Sequence, residues 1–324
     1  MQKNTLGKTG LKVSLIGLGT TSIGYLYGIG KRTLPSEREA IDFLKRVVDL
    51  GINFIDTARM YGLAEERIGK SEIAKIKGVV IATKCGEFIN RVKEIVSKEL
   101  RKKIRSEVEE SLRKLKLEQI PLLQVHGGSA EQIKEGGIIE IMAELKDEGR
   151  AKFVGVSTSG EETPMAAIES GFFDTLQLAH SILDQRMAGK VFTEAKKRNL
   201  GIINRSVLLK GALTEAASHL PPSLRQLKAN SDKASKVASD IGTDLPSLAI
   251  RFAISNEAVD TVLIGSNKIK NIEAAIRASE AGPLPTDVLN RLQNLAITDV
   301  SQIDPRNWPA NLTVDAKNLK SLHP

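Results

Sequence analysis

Eight times after residue 12 the chain sets down a short β-branched run, a polar loop and a stretch of helical period. The runs are "VSLIGLG" from 13, "INFID" from 52, "VVIATK" from 79, "LLQVH" from 122, "FVGVS" from 153, "TLQLAH" from 175, "GIINRS" from 201 and "TVLIGS" from 261. Between them lie amphipathic segments such as "EREAIDFLKRVVDLG", where Ile41, Leu44 and Val48 share one face and Gly51 sits where a helix would stop. Others run near 64–77, 99–117, 137–149, 161–170, 187–199, 244–255 and 268–281. Strand and helix alternating in this way, without a Pro/Gly/Ser linker, predict a closed (β/α)8 TIM barrel of parallel strands rather than an open sheet. One domain over residues 1–324 is expected. Ahead of the first run, "NTLGKTGLKV" predicts a small N-terminal β-hairpin with its turn at Lys8 to Gly10, against the barrel floor. Past residue 283 a stretch rich in Pro, Asn and Asp, with Trp308, predicts an irregular C-terminal tail.

Composition excludes several classes of function. The apolar fraction is 41% and the charged fraction 27%, with no apolar run long enough to cross a bilayer, so no membrane partner is expected. The start, "MQKNTLGKTG", lacks the apolar segment of a secretory signal, and Cys85 is the single cysteine, so no disulfide forms within the chain and a cytoplasmic setting is expected. The net charge of +8 raises the question of nucleic acid. Much of that excess is local: residues 93–116 carry nine Lys or Arg against five Glu in a mixed-sign helical pattern. Aromatic residues are only 4% of the chain and do not interleave with these charges, so the stretch reads as a solvated helix face and no nucleic-acid partner is expected. "GLGTTSIG" at 17–24 imitates a dinucleotide fingerprint, but Ser22 occupies the third glycine position and a further loop intervenes before a helix. The four histidines show no metal-ligand spacing, and no metal is expected.

In a barrel of this kind, chemistry resides at the carboxyl ends of the strands. The second strand ends in Asp56, with Tyr61 in the loop beyond; the third ends in Lys84 and the fourth in His126. Neighbouring strands therefore bring an acid, a phenol, an amine and an imidazole to one sector of the mouth. Singly, each has a plain structural explanation as a cap, a rim aromatic or a solvated charge; together they form a proton-handling set. A phenol with an ordinary pKa of roughly 10 exchanges protons poorly at neutral pH unless its anion is stabilised. A lysine beside it provides that field, and a carboxylate keeps the lysine charged and aimed. An imidazole then orients a bound carbonyl oxygen. Such a site polarises C=O and delivers H⁺ but contains no hydride source, which a nicotinamide supplies. Cys85 follows Lys84 and points to the other face, so it is read as structural, as is His180.

With these residues in view, the sequence resembles the aldo-keto reductase family over nearly its whole length. The likeness runs from "LGKTGLKVSLIGLGT" through "INFIDTARMYGLAEERIGK", "VVIATK", "LLQVH", "RAKFVGVST" and "SVLLKGALT" to "AIRFAISNEAVDTVLIGS". It implies reduction of an aldehyde or ketone to an alcohol, or the reverse, by hydride transfer from nicotinamide C4. Tyr61 would be the proton donor, Asp56 and Lys84 its tuning pair and His126 the substrate-orienting residue. For the cofactor it implies Gly19, Thr20 and Thr21 in the first loop, Asp56 beside them, Ser157, Thr158 and Gln177 at the carboxamide, and Arg205 stacking where many members have an aromatic ring. Ser206 and Leu208 would line the pyrophosphate, and Gly265, Ser266, Asn267 and Asn271 the adenosine end. Thr158 replaces the more usual asparagine, and an arginine that often grips a 2′-phosphate is missing, with Lys268 or Lys270 near its place. NADP(H) is favoured, with NAD(H) the alternative.

The expected partner is a small-molecule carbonyl or alcohol substrate, sugar-like more than steroid-like from the polarity of the mouth loops. A second class is a cofactor-binding sensor or regulatory subunit on the same fold, similar to the potassium-channel β subunits. The few residues ahead of the first hairpin count against a long gating segment. A third class, a Schiff-base lyase using Lys84, is disfavoured because a carboxylate-held lysine stays protonated.

Overall fold

The computed structural model describes residues 1–30, 32–91, 98–309 and 312. The hairpin consists of β1 (Lys3–Thr5) and β2 (Lys12–Ser14), antiparallel with Lys3 opposite Ser14. Its turn is a single helical turn over Gly7–Thr9, closed by Gly10 at φ +70°, a conformation that suits glycine. The hairpin plugs the barrel floor, as expected. Leu6 and Val13 pack among Phe54, Ala82, Leu122, Ile203 and Leu263, while the Lys8 N–H donates to the Asn199 carbonyl.

The barrel strands are β3 (Ile16–Gly19), β4 (Phe54–Asp56), β5 (Val80–Cys85), β6 (Ile120–His126), β7 (Ala151–Ser157), β8 (Thr175–Ala179), β9 (Gly201–Arg205) and β10 (Thr261–Gly265). They are parallel and follow one another around the ring, which β10 closes by pairing with β3. The run from residue 13, expected as one strand, is divided. Ser14 exchanges hydrogen bonds with Asn53, its N–H donating to Oδ1 at 2.6 Å, and its hydroxyl donates to the Ile16 carbonyl at 2.7 Å, turning the chain from hairpin to barrel.

Around the ring lie α1 (Glu37–Asp49), α2 (Ala64–Ser71), α3 (Lys98–Leu115), α4 (Ala130–Lys134), α5 (Gly137–Asp147), α6 (Glu162–Ser170), α7 (Lys190–Lys197), α8 (Arg225–Asp240), α9 (Leu245–Ile254) and α10 (Ile269–Glu280). α1 starts at a capping box between Ser36 and Glu39, which satisfies backbone donors at its first turn. Its buried stripe is Ala40, Phe43, Leu44 and Val47; Ile41 and Val48, expected on that stripe, flank it half-buried. α8 has no counterpart in the sequence reading. In α3, Arg101 and Arg105 pair with Glu144 of α5, and Arg105 also with Glu148, so much of the local basic excess is neutralised against the neighbouring helix. Residues 93–97 of that basic stretch lie outside the described residues. Among its described residues the tail is irregular apart from α11 (Thr286–Gln293), α12 (Val300–Ile303) and a single 3-10 turn at Pro305–Asn307, and Trp308 is buried with its indole N–H donating to the Gln302 carbonyl at 2.9 Å; residues 310, 311 and 313–324 of the expected tail lie outside the described residues. Among the described residues no helix is long and apolar enough to cross a membrane.

Period-two alternation then stratifies the barrel interior. Phe54, Ala82, Leu122, Ile203 and Leu263 fill its lower layer, and two residues further along the same strands stand Asp56, Lys84, Gln124, Arg205 and Gly265. The fold thus places polar groups at the mouth by setting one near the end of the apolar strands β4, β5, β6 and β9.

Candidate active site

At the centre of the mouth Lys84 is fully buried, and its Nζ donates to Asp56 Oδ2 at 2.6 Å and to the Thr57 carbonyl at 2.8 Å. A charge removed from water in this way persists only with close partners. The other oxygen of Asp56, Oδ1, accepts from Gln177 Nε2 at 2.6 Å and from Gln124 Nε2 at 3.3 Å. Both oxygens of the buried carboxylate therefore accept hydrogen bonds. Above the pair lies Tyr61, half-buried, its ring centroid 5.1 Å from the Lys84 ammonium. The His126 ring stands edge-on to the Tyr61 ring with centroids 6.0 Å apart. Burial first, and then the charges of Lys84 and Arg205, hold His126 well below the usual imidazole pKa, so the ring is neutral at physiological pH. The four residues named from strand ends thus meet in one cluster.

Gln124 was missed from sequence. The signal was present, because a residue two positions before His126 on the same strand faces the same way. Tyr25 and Tyr27 were also missed. They sit in the loop after β3, where no period indicates direction.

The residues expected to hold a cofactor fall into two groups. Around β7, β8 and β9, the Ser157 hydroxyl donates to Gln177 Oε1 at 3.2 Å, and the Thr158 hydroxyl is buried without a hydrogen-bond partner among the described residues. The Arg205 guanidinium is held by the Thr158 carbonyl at 2.8 Å, Ser159 Oγ at 3.2 Å and Ser206 Oγ at 3.1 Å. Ser206, Leu209 and Lys210 all have positive φ, at +63°, +43° and +57°, a cluster of left-handed backbone that costs energy in non-glycine residues. Leu208 sits inside this turn, half-buried against the core. Of these, Thr158, Ser159, Arg205, Ser206 and Leu209 share a cleft with Asp184, Arg186 and the tail residues Ile303, Asp304 and Pro305, so the tail reaches the rim on this side.

At the other group, next to β10, Asn271 Nδ2 donates to Ser266 Oγ at 3.1 Å and Asn267 Nδ2 donates to the Thr33 carbonyl at 2.8 Å. Gly19 and Gly265 face each other across β3 and β10. An orphaned buried hydroxyl, a planar cation at a strand end and strained backbone beside a serine fit a nicotinamide and its phosphates. Two positions differ from expectation. Thr20 is completely buried, with hydroxyl and N–H both donating to the Asp56 carbonyl at 3.0 Å, so it braces β4; only Thr21 and Gly19 are open to the mouth. Gln177 directs its amide N–H to Asp56.

Away from the mouth centre, Cys85 packs in the layer between barrel and helices, and burial pushes its thiol pKa up. His180 is buried between Phe192 and Phe252, with ring centroids at 5.3 and 5.2 Å. Among the described residues no group of three or more His, Cys, Asp or Glu is placed to hold a metal ion.

Comparison with known proteins agrees with this geometry. The chain is similar to L-galactose dehydrogenase of Arabidopsis thaliana, 26% identical over 328 residues, spanning 96% of this chain and 98% of that protein. It is similar to the NADH-specific methylglyoxal reductase of Escherichia coli, 28% identical over 66% of this chain and 69% of that protein. Among solved structures, aldo-keto reductase AKR11C1 from Bacillus halodurans, in its holo form, superposes with a TM-score of 0.76 at 26% identity, covering 95% of this chain and all of that one. A sequence profile described as the Aldo/keto reductase family matches residues 15–297, and since that span is most of the chain, the protein belongs to the aldo/keto reductase family.

Proposed function

We propose that the chain is an NAD(P)H-dependent reductase of aldehydes or ketones, or a dehydrogenase of the corresponding alcohols, with Tyr61 exchanging the proton at the carbonyl oxygen. The observation that carries this reading is the fully buried Lys84 ammonium, pinned by Asp56 at 2.6 Å and standing 5.1 Å from the Tyr61 ring centroid. When bound, a reduced nicotinamide supplies the hydride that no side chain can. The rest is done by this chain. Tyr61 would present its hydroxyl to the carbonyl, and the Lys84 ammonium, 5.1 Å from its ring centroid, would favour negative charge developing on the phenol oxygen. Asp56, held by two glutamine amides as well, fixes the position of Lys84. Neutral His126 is a hydrogen-bond donor to the same carbonyl oxygen, so the oxygen is gripped from two sides. A lysine held by a carboxylate is charged and hence a poor Schiff-base nucleophile, which argues against the lyase alternative.

Ser157, Thr158 and Arg205 would hold the nicotinamide end, Ser206 and Leu208 the pyrophosphate, and Ser266, Asn267 and Asn271 the adenosine end. Lys268 and Lys270 favour NADP over NAD. The likeness to L-galactose dehydrogenase supports a sugar-like substrate.

The test is loss of absorbance at the reduced-nicotinamide band with NADPH and with NADH, across aldehydes, ketones and sugars. Tyr61→Phe is expected to lower kcat by about a hundredfold or more, the usual share of a general acid, while cofactor still quenches protein fluorescence. Equal turnover by Tyr61→Phe and the parent would remove Tyr61 from the reaction.

A further inference from the structure

Beside Lys84 and His126 the mouth continues into a side cavity of about 290 Å³, walled by the loops after β4 and β5 and by α3. No residue assigned to the cofactor lines it. Three further cations do: Arg59, Arg91 and Lys103. Glu110 holds Arg59 and Glu87 holds Arg91, the latter at 2.8 Å, but Glu110 also takes Lys114 at 3.1 Å. Neither carboxylate uses up its guanidinium. Among the described residues Nη1 of Arg59, and Nε and Nη1 of Arg91, have no partner. Lys103 forms no ion pair among the described residues. Its ammonium lies 4.0 Å from the centroid of the Phe88 ring, which also lines the cavity. An aromatic face attracts a cation without neutralising it, so this charge stays available. Glu107, the other carboxylate on the wall besides Glu87, accepts from the Gly86 N–H at 2.7 Å.

We propose that this cavity is a subsite for a carboxylate on the body of the substrate, bound by Lys103 and the spare donors of Arg59 and Arg91 while Tyr61 and His126 engage the carbonyl. The substrate is then an oxo acid, and the inference rests on the carbonyl chemistry proposed for Tyr61. Lys84 and His126 border both the cavity and the carbonyl site, so one small molecule reaches from one to the other. Met60 and Phe88 offer an apolar path for its chain. The balance of charge selects the anion. Four cations and two carboxylates line the cavity, and Asp56 and Glu110 back two of the cations, with Glu110 divided between Arg59 and Lys114. The positive surplus is therefore slight, which suits the single charge of a carboxylate better than the nearly double charge of a phosphate ester. Arg91 and Lys103 are exposed, so they act as rim charges, which choose between partners more than they tighten binding.

Succinic semialdehyde and glutaric semialdehyde carry a carboxylate where butanal and pentanal end in a methyl group. In the nicotinamide absorbance assay the parent is expected to favour the acid over the aldehyde of equal length by about fivefold in kcat/KM for at least one of the two lengths. Added salt should shrink that preference. Lys103→Met is expected to lower kcat/KM for the acids by about threefold, mainly through KM. Lys103→Glu, which turns the attraction into a repulsion, should lower it by about tenfold, and both variants should keep butanal and pentanal within about twofold of the parent. Undiminished turnover of the plain aldehydes also shows that the variants are folded. A parent without preference for the acids, or variants that lose equally on acids and aldehydes or on neither, would overturn the assignment while leaving the carbonyl chemistry standing. A loss confined to glycolaldehyde phosphate would overturn it too, because a phosphate would then be the group seated there. So would weaker NADPH binding by Lys103→Glu, read by fluorescence quenching, since the cations would then serve the nucleotide. A parent inactive on all these carbonyls and on every other one tried would instead sink the reading on which this inference rests.

Discussion

Asp56 and Lys84 are not equivalent halves of one ion pair. The carboxylate accepts from Lys84, Gln177 and Gln124, whereas the ammonium has Asp56 and a single backbone carbonyl. If Lys84 is replaced by methionine, a side chain of similar length, Asp56 keeps two amide donors in the buried layer. If Asp56 is replaced by alanine, an ammonium remains buried against one carbonyl and both glutamines lose an acceptor. Removing one partner of a buried pair typically costs about 3–5 kcal/mol, because the other charge is left uncompensated. Asp56→Ala is expected in that range, and Lys84→Met at about 2 kcal/mol, nearer the cost of one lost charged hydrogen bond. Urea unfolding of both variants checks the order, and a larger loss for Lys84→Met would contradict the network as drawn. Both should be nearly inactive, so similar losses of activity are expected beside unequal losses of stability.

Elements impose positions that no single side chain determines. The loop after β3 and the turn bearing Tyr61 meet backbone to backbone: a methyl group on Gly24 would overlap the Tyr61 carbonyl oxygen, and the Leu63 N–H donates to the Gly24 carbonyl at 3.2 Å. Gly24 has an ordinary φ of −107°, so what requires glycine there is space and not backbone freedom. Gly24→Ala must push the two loops apart, and the movement falls on Tyr61. Displacements of about 1 Å at a reacting group cost on the order of a hundredfold in rate. The expected result is therefore a fall in kcat of about a hundredfold, equivalent to about 3 kcal/mol in the barrier, beside a stability loss of about 1–3 kcal/mol from overpacking. Circular dichroism melts beside the absorbance assay would show it, and an unchanged kcat would mean the loops slide without moving the phenol. By contrast, the ion pairs of Arg101 and Arg105 with α5 are partly exposed to solvent and expected to contribute little, although they account for much of the sequence's local basic excess.

At the scale of the whole molecule, the barrel was legible because a strand buried on both faces is written as an apolar run, and a polar residue at its end marks the mouth. Asp56, Lys84 and His126 could be found in this way. α8 could not, since its buried face includes Ser231, Ala234 and Ala238, residues too small to stand out as a hydrophobic stripe. Nor could Tyr27, whose position depends on a loop path. The same architecture separates two titrating groups, buried His180 just beyond the mouth end of β8 and half-buried Asp260 at the floor just before β10, and they respond to acid in opposite directions. Burial lowers His180 to about 4, below its usual value of about 6.5, so between those values the unfolded chain binds the extra proton and stability falls as pH drops. Burial raises Asp260 from 3.8 to about 6, so in that window the folded state binds the extra proton and its share of stability grows as pH drops. Each shift corresponds to about 3 kcal/mol, and sites at opposite ends of a barrel should act additively, so the two largely cancel between about pH 4 and 6. Single variants uncover what the parent conceals. His180→Leu, which keeps an apolar group between Phe192 and Phe252, is expected to gain about 2 kcal/mol on the parent when urea unfolding at pH 4.5 is compared with pH 7. Asp260→Asn is expected to lose a similar amount over the same interval. Differences that stay constant with pH would show that neither group is held out of water in the way the fold implies.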